Sequence, residues 1–332
     1  MQDLTVLVSG GAGYIGSHIC KLLAEHKYKI IVIDDLSAGH EWAISKSAIF
    51  YKLDIGDSAE ILKVLLRHNV KNVIHLAAFL DVNESVKYPL KYFQNNVIKS
   101  FGFLDACLQA KVENFVFSST AAVYGNPKCI PVNEDAQLNP QSPYGFSKKI
   151  MEEMLQNVAK SHSLKFAILR YFNVAGAALN GLLGQVNPNA THLIKIASET
   201  ACGKRAMMKV FGNDYATRDG TAERDYIHVE DLADIHWLAL CNLINGGESD
   251  IFNCGYGKGH TVQEIIETMK KVSNTNFNVD ISPRRLGDVE CVVANSKKLQ
   301  EKLGWKPRCD DIQLICKTAF DWERKQMQLN LV

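Results

Sequence analysis

This sequence has no large charge excess, no long apolar run and no paired-cysteine motif. Its 332 residues contain 37 Lys and Arg against 36 Asp and Glu, which gives a net charge of +1. Without a basic excess or a like-charge run, phosphate attraction cannot drive nucleic-acid binding, although a local basic site for one diphosphate is still possible. No apolar run approaches the roughly 18 residues that a membrane-spanning helix needs, so we expect no membrane partner. The hydrophobic share of 47% and the charged share of 22% are those of a globular protein.

The nine cysteines are scattered along the chain, and none belongs to a C-x-x-C pair. An odd number without paired spacing argues against a disulfide framework and against a zinc site. We therefore expect no metal and a reducing, cytoplasmic location. The N-terminus has no basic segment followed by a long apolar one, and Thr5–Val8 has the length of a buried strand, so no signal peptide is expected.

Short β-branched runs alternate with longer amphipathic stretches through the first half of the chain. The strand candidates are Thr5–Val8, Ile30–Ile33, Phe50–Leu53, Val73–Leu76, Phe115–Phe117 and Phe166–Leu169. The helical patterns between them are Gly16–Glu25, Ser58–His68, Pro89–Gln109 and Pro143–His162. Continuous apolar strands are typical of a sheet covered on both faces. The alternation therefore predicts a doubly wound α/β domain with a parallel sheet.

The pattern changes after Asn173, where Gly, Asn and Pro cluster and the later elements become shorter. Thr261 and Glu264 have the spacing of a capping box that opens a helix. A last short helix near Ser296–Leu303 should stop at Gly304. We predict a dinucleotide-binding domain over residues 1–173 and a smaller domain over residues 174–332, interleaved with the first.

A glycine-rich segment follows the first strand and immediately precedes a helical pattern. Gly10, Gly13 and Gly16 have the spacing of a dinucleotide-binding loop, in which glycines allow a tight turn and close approach of the backbone to a pyrophosphate. The second strand ends in Asp34 and Asp35, and an acid at that point accepts hydrogen bonds from a ribose. Two acids would repel a 2′-phosphate, so the segment predicts NAD rather than NADP.

A helix with Tyr144 and Lys148 begins after Ser142, which has the character of an N-cap. The i, i+4 spacing places both side chains on one face, and such pairs are also common on solvated helices. A nearby ammonium group favours the phenolate, and so does a positive nicotinamide ring, which together would tune the tyrosine towards use as a base near neutral pH. Upstream, a strand runs into Ser118, Ser119 and Thr120, so the hydroxyls should lie at the carboxyl edge of the sheet.

On these motifs the chain resembles the UDP-glucose 4-epimerases of the extended short-chain dehydrogenase/reductase family. The matching segments run along nearly the whole chain and include GGAGYIGSH (Gly10–His18), FSSTAAVYG (Phe117–Gly125), PQSPYGFSK (Pro140–Lys148), LRYFNVAGA (Leu169–Ala177) and PRRLGD (Pro283–Asp288). The resemblance implies a Rossmann-type doubly wound parallel sheet with a smaller mixed α/β C-terminal substrate domain. It also implies reversible oxidation at C4 of a UDP-sugar through a 4-keto intermediate, with NAD kept bound.

The resemblance implies a role for specific positions. Tyr144 is the base, Lys148 holds the nicotinamide ribose, and Thr120 contacts the sugar 4-hydroxyl. The cofactor-binding candidates are Gly10, Gly13, Tyr14, Ile15, Gly16, Asp34, Asp35, Leu36, Ser37, Gly39, Asp54, Ile55, Leu76, Ala77, Ala78, Asn95, Tyr144, Lys148 and Phe172. The substrate-binding candidates are Thr120, Tyr144, Asn173, His192, Leu193, Val210, Phe211, Arg224, Arg285, Asp288 and Val292.

Several alternatives stay open within this interpretation. Val292 stands where members confined to hexoses without an acetamido group have a tyrosine, so UDP-GlcNAc and UDP-GalNAc are further candidate substrates. A 4-epimerase of another UDP-sugar, a uronate or a pentose, is the main alternative. A dinucleotide-sensing protein without activity is a remote one, because such proteins typically lose the Tyr or the Lys. A 4,6-dehydratase is disfavoured, because Ala121 and Ala122 follow Thr120 where that reaction needs an acid pair.

The predicted helices Pro89–Gln109 and Pro143–His162 carry apolar residues at helical spacing, among them Phe146, Ile150 and Met154. Packing on their own sheet explains this pattern. By resemblance, the same two helices also form the interface of a homodimer.

Overall fold

The computed structural model describes residues 4–186, 191–285 and 289–329. Its strands, numbered along the chain, are β1 Thr5–Ser9, β2 Lys29–Asp34, β3 Ile49–Lys52, β4 Asn72–His75, β5 Asn114–Thr120, β6 Lys165–Tyr171, β7 Asn173–Ala175, β8 Met207–Phe211, β9 Glu223–His228, β10 Asp250–Cys254, β11 Gly259–Thr261, β12 Asn278–Ser282 and β13 Cys291–Val292. Its α-helices are α1 Tyr14–Glu25, α2 Ser58–Arg67, α3 Val82–Lys87, α4 Pro89–Phe93, α5 Ser100–Gln109, α6 Pro143–Ser161, α7 Leu193–Ala201, α8 Val229–Ile244, α9 Val262–Ser273, α10 Lys297–Leu303 and α11 Ile312–Leu329.

The large sheet has seven parallel strands in the order β3-β2-β1-β4-β5-β6-β10. Its first six strands follow the order 3-2-1-4-5-6 of a doubly wound dinucleotide-binding fold, so the predicted fold class is confirmed. The strands are buried because helices cover both faces, with one apolar cluster on each side of the sheet. Parallel strands place their carboxyl ends at one edge, which brings Ser9, Asp34, His75 and Thr120 to the same side of the molecule.

The smaller part of the fold contains two short sheets. In one, β9 pairs with β7, β11 and β13, and in the other β8 pairs with β12. Helices α7, α9 and α11 pack together beside them around an apolar cluster that includes Ile194, Ile265 and Ile315. This arrangement is the mixed α/β region expected after Asn173.

The chain returns to the large sheet after it has entered the smaller part. Strand β10 pairs with β6 at the sheet edge, and α8 packs against α1 through residues that include Leu23 and Leu240. The division into residues 1–173 and 174–332 therefore stays a prediction, with two elements of the second range lying on the first sheet.

Most local predictions agree with the structure, and two differ. The predicted helix Pro89–Gln109 contains a π-helical segment over Gln94–Lys99 between α4 and α5. The sequence analysis also placed the last helix near Ser296–Leu303, whereas α11 follows it. The capping box is confirmed, since the Thr261 hydroxyl accepts from the Glu264 amide at 3.1 Å and the Glu264 carboxylate accepts from the Thr261 amide at 3.1 Å. Gly304 ends α10 with a φ of 65°.

Within the described ranges, every helix is too short or too polar to cross a bilayer.

Candidate active site

The glycine loop between β1 and α1 is a cradle that only glycine can form. Gly10 has a φ of 75° and its amide donates to the Ile33 carbonyl at 2.8 Å. A Cβ on Gly10 would lie 2.8 Å from the Ala77 nitrogen, and one on Gly16 would lie 2.1 Å from the Gly10 oxygen. Gly13 is the N-cap of α1 and supplies no side chain to the first turn, so the amides there are left for an anion. The loop therefore fits the diphosphate of a dinucleotide.

Two candidates in the first turn of α1 and three that follow β4 lie at this loop. The Tyr14 hydroxyl donates to the Gly176 carbonyl at 2.6 Å, which ties α1 to the start of the smaller part. Ile15 packs against the apolar cluster on its side of the sheet. The Leu76 amide donates to the Ser9 carbonyl at 3.1 Å, so Leu76, Ala77 and Ala78 run alongside the loop.

The acid pair at the end of β2 has one buried and one exposed member. Asp34 is buried and accepts from the Ala12 amide at 3.0 Å and from the Leu36 amide at 2.9 Å. Burial raises the pKa of Asp34, while these two amides lower it. Asp35 is exposed and accepts from the Ser37 amide at 2.8 Å and the Ser37 hydroxyl at 2.6 Å. Asp34 is therefore the carboxylate tied to the glycine loop, and Asp35 organises the turn that follows.

Other cofactor candidates lie around the same edge. Gly39 is packed so closely that a Cβ would lie 2.9 Å from an Asp34 oxygen. Asp54 forms an ion pair with Lys99, and Ile55 beside it is buried. Asn95 donates to the Asn96 side chain at 3.1 Å.

Asn96 was not among the predicted site residues, although it organises the segment after β4. Asn96 is buried, accepts from the Phe79 amide at 2.9 Å and donates to the Phe79 carbonyl at 3.0 Å. It also donates to the Ser147 hydroxyl at 3.2 Å, which links that segment to α6. Its neighbour Asn95 was singled out by resemblance, and no sequence signal separates the two.

The Tyr144 and Lys148 side chains lie buried at the start of α6, against the end of β5. The helix begins there because the Ser142 hydroxyl accepts from the Gly145 amide at 3.2 Å and Pro143 occupies the first turn. The Lys148 ammonium donates to the Ser118 carbonyl at 2.7 Å, and Tyr144 forms a side-chain hydrogen bond with Thr120. The structure thus brings the three predicted catalytic residues together.

Burial controls the ionisation of this pair. It raises the pKa of Tyr144 to about 12, although the hydrogen bond with Thr120 lowers that pKa. It also lowers the pKa of Lys148 to about 7, although the carboxylate of Glu152 raises it. The protein by itself therefore does not tune Tyr144 towards neutral pH, and tuning by Lys148 together with the nicotinamide ring stays a prediction. A positive charge brought by a bound cofactor would be needed to lower the pKa of Tyr144.

Sequence reasoning missed a buried acid and its partner behind these residues. Glu152 is fully buried and forms a two-point ion pair with Arg170, at 3.0 Å from Nε and 2.6 Å from Nη2. The available signal was spacing, since Glu152 continues the i, i+4 series of Tyr144 and Lys148.

The substrate candidates fall into two groups. Asn173, His192 and Leu193 line one pocket together with Trp322 and Glu323. His192 caps α7 and shares a hydrogen bond of 3.0 Å with the Gln185 side chain.

The second group lies along β8, β9 and β13. Val210 is buried, and the Arg285 guanidinium lies 3.6 Å from the centre of the Phe211 ring. Arg224 and Val292 are register partners in the parallel pairing of β9 with β13. None of these residues is among the described residues that line the pocket of Asn173.

Phe172 and Val292 share one small apolar cluster with Val123 and Tyr124, just beyond the end of β5. This cluster links the second group to the strand end that carries Thr120. Asp288 lies outside the described residues.

Comparison with known proteins agrees with this geometry. Residues 6–255 match the model of the NAD dependent epimerase/dehydratase family. A UDP-glucose 4-epimerase of Azospirillum brasilense is 48% identical over 324 residues, covering 97% of this chain and 93% of that protein. The crystal structure of UDP-glucose 4-epimerase from Brucella ovis in complex with NAD has a TM-score of 0.94 and 40% identity, covering 96% of this chain and 98% of that one. The structure of the UDP-Glc/GlcNAc 4-epimerase from Campylobacter jejuni has a TM-score of 0.85 and 43% identity, covering 97% of this chain and 99% of that one.

The resemblance drawn from the sequence motifs is confirmed by these findings. The matched model spans the whole large sheet, from β1 to β10. By its sequence and its fold, the chain belongs to the NAD dependent epimerase/dehydratase family.

Proposed function

We propose that this chain is a UDP-glucose 4-epimerase that interconverts UDP-galactose and UDP-glucose. The observation that carries the proposal is the placement of Tyr144 and Lys148 against the Thr120 strand end, at the sheet edge that also holds the glycine cradle. Its similarity to the 4-epimerases of Azospirillum brasilense, Brucella ovis and Campylobacter jejuni supports it.

The catalytic roles follow from this arrangement. NAD, when bound, would supply the hydride acceptor and donor for C4 of the sugar. Tyr144 would remove the proton from the sugar 4-hydroxyl, Thr120 would orient that hydroxyl, and Lys148 would hold the nicotinamide ribose and favour the phenolate. The resulting 4-keto sugar would then turn so that C4 receives the hydride on its other face, which inverts C4, and Tyr144 would return the proton to the C4 oxygen.

The candidates of the smaller part hold the UDP portion in this proposal. Arg224 and Arg285 carry guanidinium groups, which match phosphate oxygens well. The residues near the sugar are small or apolar, including Val292 and Ala121. Tight contacts at the diphosphate and few at the sugar would let the sugar rotate while the nucleotide stays fixed.

Replacing the base tests the proposal. Tyr144→Phe should lower kcat for UDP-galactose by about 1000-fold or more, because the proton acceptor is removed. UDP affinity, measured by calorimetry, should stay within about twofold, because the phenol does not contact the nucleotide in this scheme. Near-normal turnover would contradict the assignment. Tyr92→Phe is the matched control, since Tyr92 is buried but donates to Glu84 at 2.9 Å, away from the reacting groups.

The buried Val292 side chain favours a second activity, the exchange of UDP-GlcNAc with UDP-GalNAc. It shares a cluster with Phe172 beside the Thr120 strand end, where a larger residue would narrow the sugar space. Val292→Tyr should remove activity on the N-acetylated pair while activity on the glucose pair stays within about threefold. Equal activity of both proteins on the N-acetylated pair would exclude Val292 as the determinant.

An assay over a panel of UDP-sugars separates the remaining alternatives. Preference for a uronate or a pentose would replace the proposed substrate, and no turnover would favour a dinucleotide-sensing protein. In the proposed enzyme, UDP-galactose should be converted without added coenzyme, because the nicotinamide is regenerated in each cycle.

We also propose a homodimer formed by helices α4 to α6. Their outer surface exposes large apolar side chains, namely Leu90 at 80%, Phe101 at 60%, Ile98 at 57% and Phe146 at 46%. Phe101→Glu should yield a monomer in analytical ultracentrifugation, whereas Leu66→Glu on α2 should not. An unchanged mass for Phe101→Glu would argue against this interface. The cytoplasmic location is part of the proposal, supported by nine cysteines that are all free.

A further inference from the structure

Three side chains spaced one turn apart on α6 meet three consecutive residues at the end of β5. The pairs are Tyr144 with the Thr120 side chain, Lys148 with the Ser118 carbonyl at 2.7 Å, and Glu152 with the Ser119 hydroxyl. The first two pairs belong to the catalytic group of the proposed function. The third lies one turn further along the helix and has no assigned role there.

Glu152 is held in a single position. Its side chain is fully buried, and Arg170 donates to it from Nε at 3.0 Å and from Nη2 at 2.6 Å. Arg170 is fixed in turn by the Tyr124 hydroxyl at 2.9 Å and the Glu134 carbonyl at 2.8 Å. A buried carboxylate with a two-point guanidinium partner has little freedom to move.

The position of Glu152 fixes the β5 end against α6. The Glu152 carboxylate accepts a hydrogen bond from the Ser119 hydroxyl and so holds Ser119 in place. Ser119 lies between Ser118, whose carbonyl accepts from Lys148, and Thr120, which bonds to Tyr144. A shift of this strand end along the helix would move both partners of the catalytic pair at once. Small displacements of this kind are costly to catalysis because the reacting groups must be aligned.

Glu152 is also the carboxylate that favours the charged form of Lys148. The groups against Lys148 are His75 on β4, the Phe117 ring and Ser118 carbonyl on β5, and Glu152 one turn further along α6, with Tyr144 one turn before it. His75 is buried between Ser9 and Ser100 and has a pKa lowered to about 3, so it is neutral. Burial lowers the pKa of Lys148 to about 7, and Glu152 is the group that opposes this effect.

We propose that Glu152, clamped by Arg170, is a positioning residue that fixes the β5 end in register with Tyr144 and places a carboxylate one turn from the Lys148 ammonium. This inference rests on the proposed function, because it assigns Glu152 a part in the same reaction. It predicts two separable effects, one on the charge of Lys148 and one on the alignment of Ser119.

The charge effect is tested with Glu152→Gln, which keeps the shape of the side chain and removes its charge. The Lys148 midpoint, measured by NMR titration of ¹³Cε-lysine and assigned with Lys148→Arg, should fall by about one pH unit. The alkaline limb of the pH–kcat profile should move to lower pH by about the same amount, and KM should stay within about twofold. Glu152→Asp retains the carboxylate and should leave both midpoints near those of the unchanged protein.

The alignment effect is tested with Ser119→Ala, which leaves every charge in place and carries little risk to folding. Its kcat should fall about fivefold or more with an unchanged alkaline limb, because only the alignment contact is lost. Melting temperatures of all variants identify any loss of activity that comes from unfolding.

An unchanged Lys148 midpoint in Glu152→Gln, or full kcat in Ser119→Ala, would overturn the inference. The titration needs no substrate, so it separates failure of this inference from failure of the proposed function. If the unchanged protein converted no UDP-sugar, the proposed function would fail instead. If Glu152→Gln does not fold, the Lys148 midpoint in Glu152→Asp and the kcat of Ser119→Ala decide the question. A shifted Lys148 midpoint in Glu152→Asp, or a shifted alkaline limb of the pH–kcat profile in Ser119→Ala, contradicts the charge assignment.

Discussion

The proposed cofactor side and the proposed nucleotide side of the candidate site are built by different means. The cofactor side consists of the glycine loop and the acid turn, residues 9–16 and 34–39, and it is shaped mainly by backbone atoms and close chain neighbours. The nucleotide side consists of Phe211, Arg224, Arg285 and Val292, whose side chains come from segments far apart in the sequence. The cofactor side therefore depends on the absence of side chains, whereas the nucleotide side depends on which side chains are present.

The largest effect is expected where a side chain would fill the cofactor side. Gly16→Ala places a Cβ 2.1 Å from the Gly10 oxygen, so the loop must open. Retained NAD, measured by chromatography after denaturation of the purified protein, should fall more than about 100-fold, and the melting temperature should drop by several degrees. Gly203→Ala is the control for NAD content, because its Cβ meets nothing within 4 Å and the strain from its φ of 78° falls in the smaller part, after α7. Equal NAD content in both variants would show that the loop tolerates a side chain.

An intermediate effect is expected where the identity of a side chain changes on the nucleotide side. Arg285→Lys keeps the charge but loses the flat group that lies over the Phe211 ring. UDP affinity measured by calorimetry should fall about tenfold, or about 1.4 kcal/mol, with kcat nearly unchanged. Arg284→Lys is the matched control, because the neighbouring Arg284 pairs with exposed Asp214 at 2.6 Å. Similar losses in the two variants would remove the special role of Arg285.

A third effect is a difference in pH response between β4 and β9, two strands that lie next to these sides. In β4, burial lowers the pKa of His75 to about 3, so its contribution to stability is present above pH 6.5 and is lost as the pH falls below that value. In β9, burial raises the pKa of Asp225, the neighbour of Arg224, to about 6, so its contribution is present at low pH and is lost as the pH rises through about 6.

Hydrogen exchange at about pH 7 and about pH 5, corrected for intrinsic rates, measures this difference. Going to the lower pH, protection of β4 should fall, by up to about 2 kcal/mol of opening free energy, while protection of β9 should hold or increase. A fall of equal size in both strands would show that the two regions open together.

The comparison also explains what the sequence could predict. The strands of the first half, the caps at Ser142 and Thr261, and the neighbourhood of Tyr144, Lys148 and Thr120 all depend on short-range patterns. The helix predicted over Pro89–Gln109 was found, although its π-helical segment depends on packing that no local pattern encodes. The elements near the carboxyl edge of the sheet were therefore predictable where neighbouring residues in the sequence determine the local structure.

What could not be predicted depends on distant contacts. Glu152 has the spacing of its neighbours, but only the fold shows that Arg170 and Ser119 close around it. Spacing shows a cation near Tyr144, but it does not show the burial that raises the pKa of Tyr144. The helix α11 was missed, although its packing against α7 and α9 completes the smaller part.

The late position of β10 in the chain has a consequence for biosynthesis. Until residue 254 has left the ribosome, β6 is an unpaired edge strand of the parallel sheet, and its amides and carbonyls are available to any extended segment nearby. Nascent chains of this protein should therefore be most prone to association between the emergence of β6 and that of β10. A chaperone that shields edge strands would act in that interval.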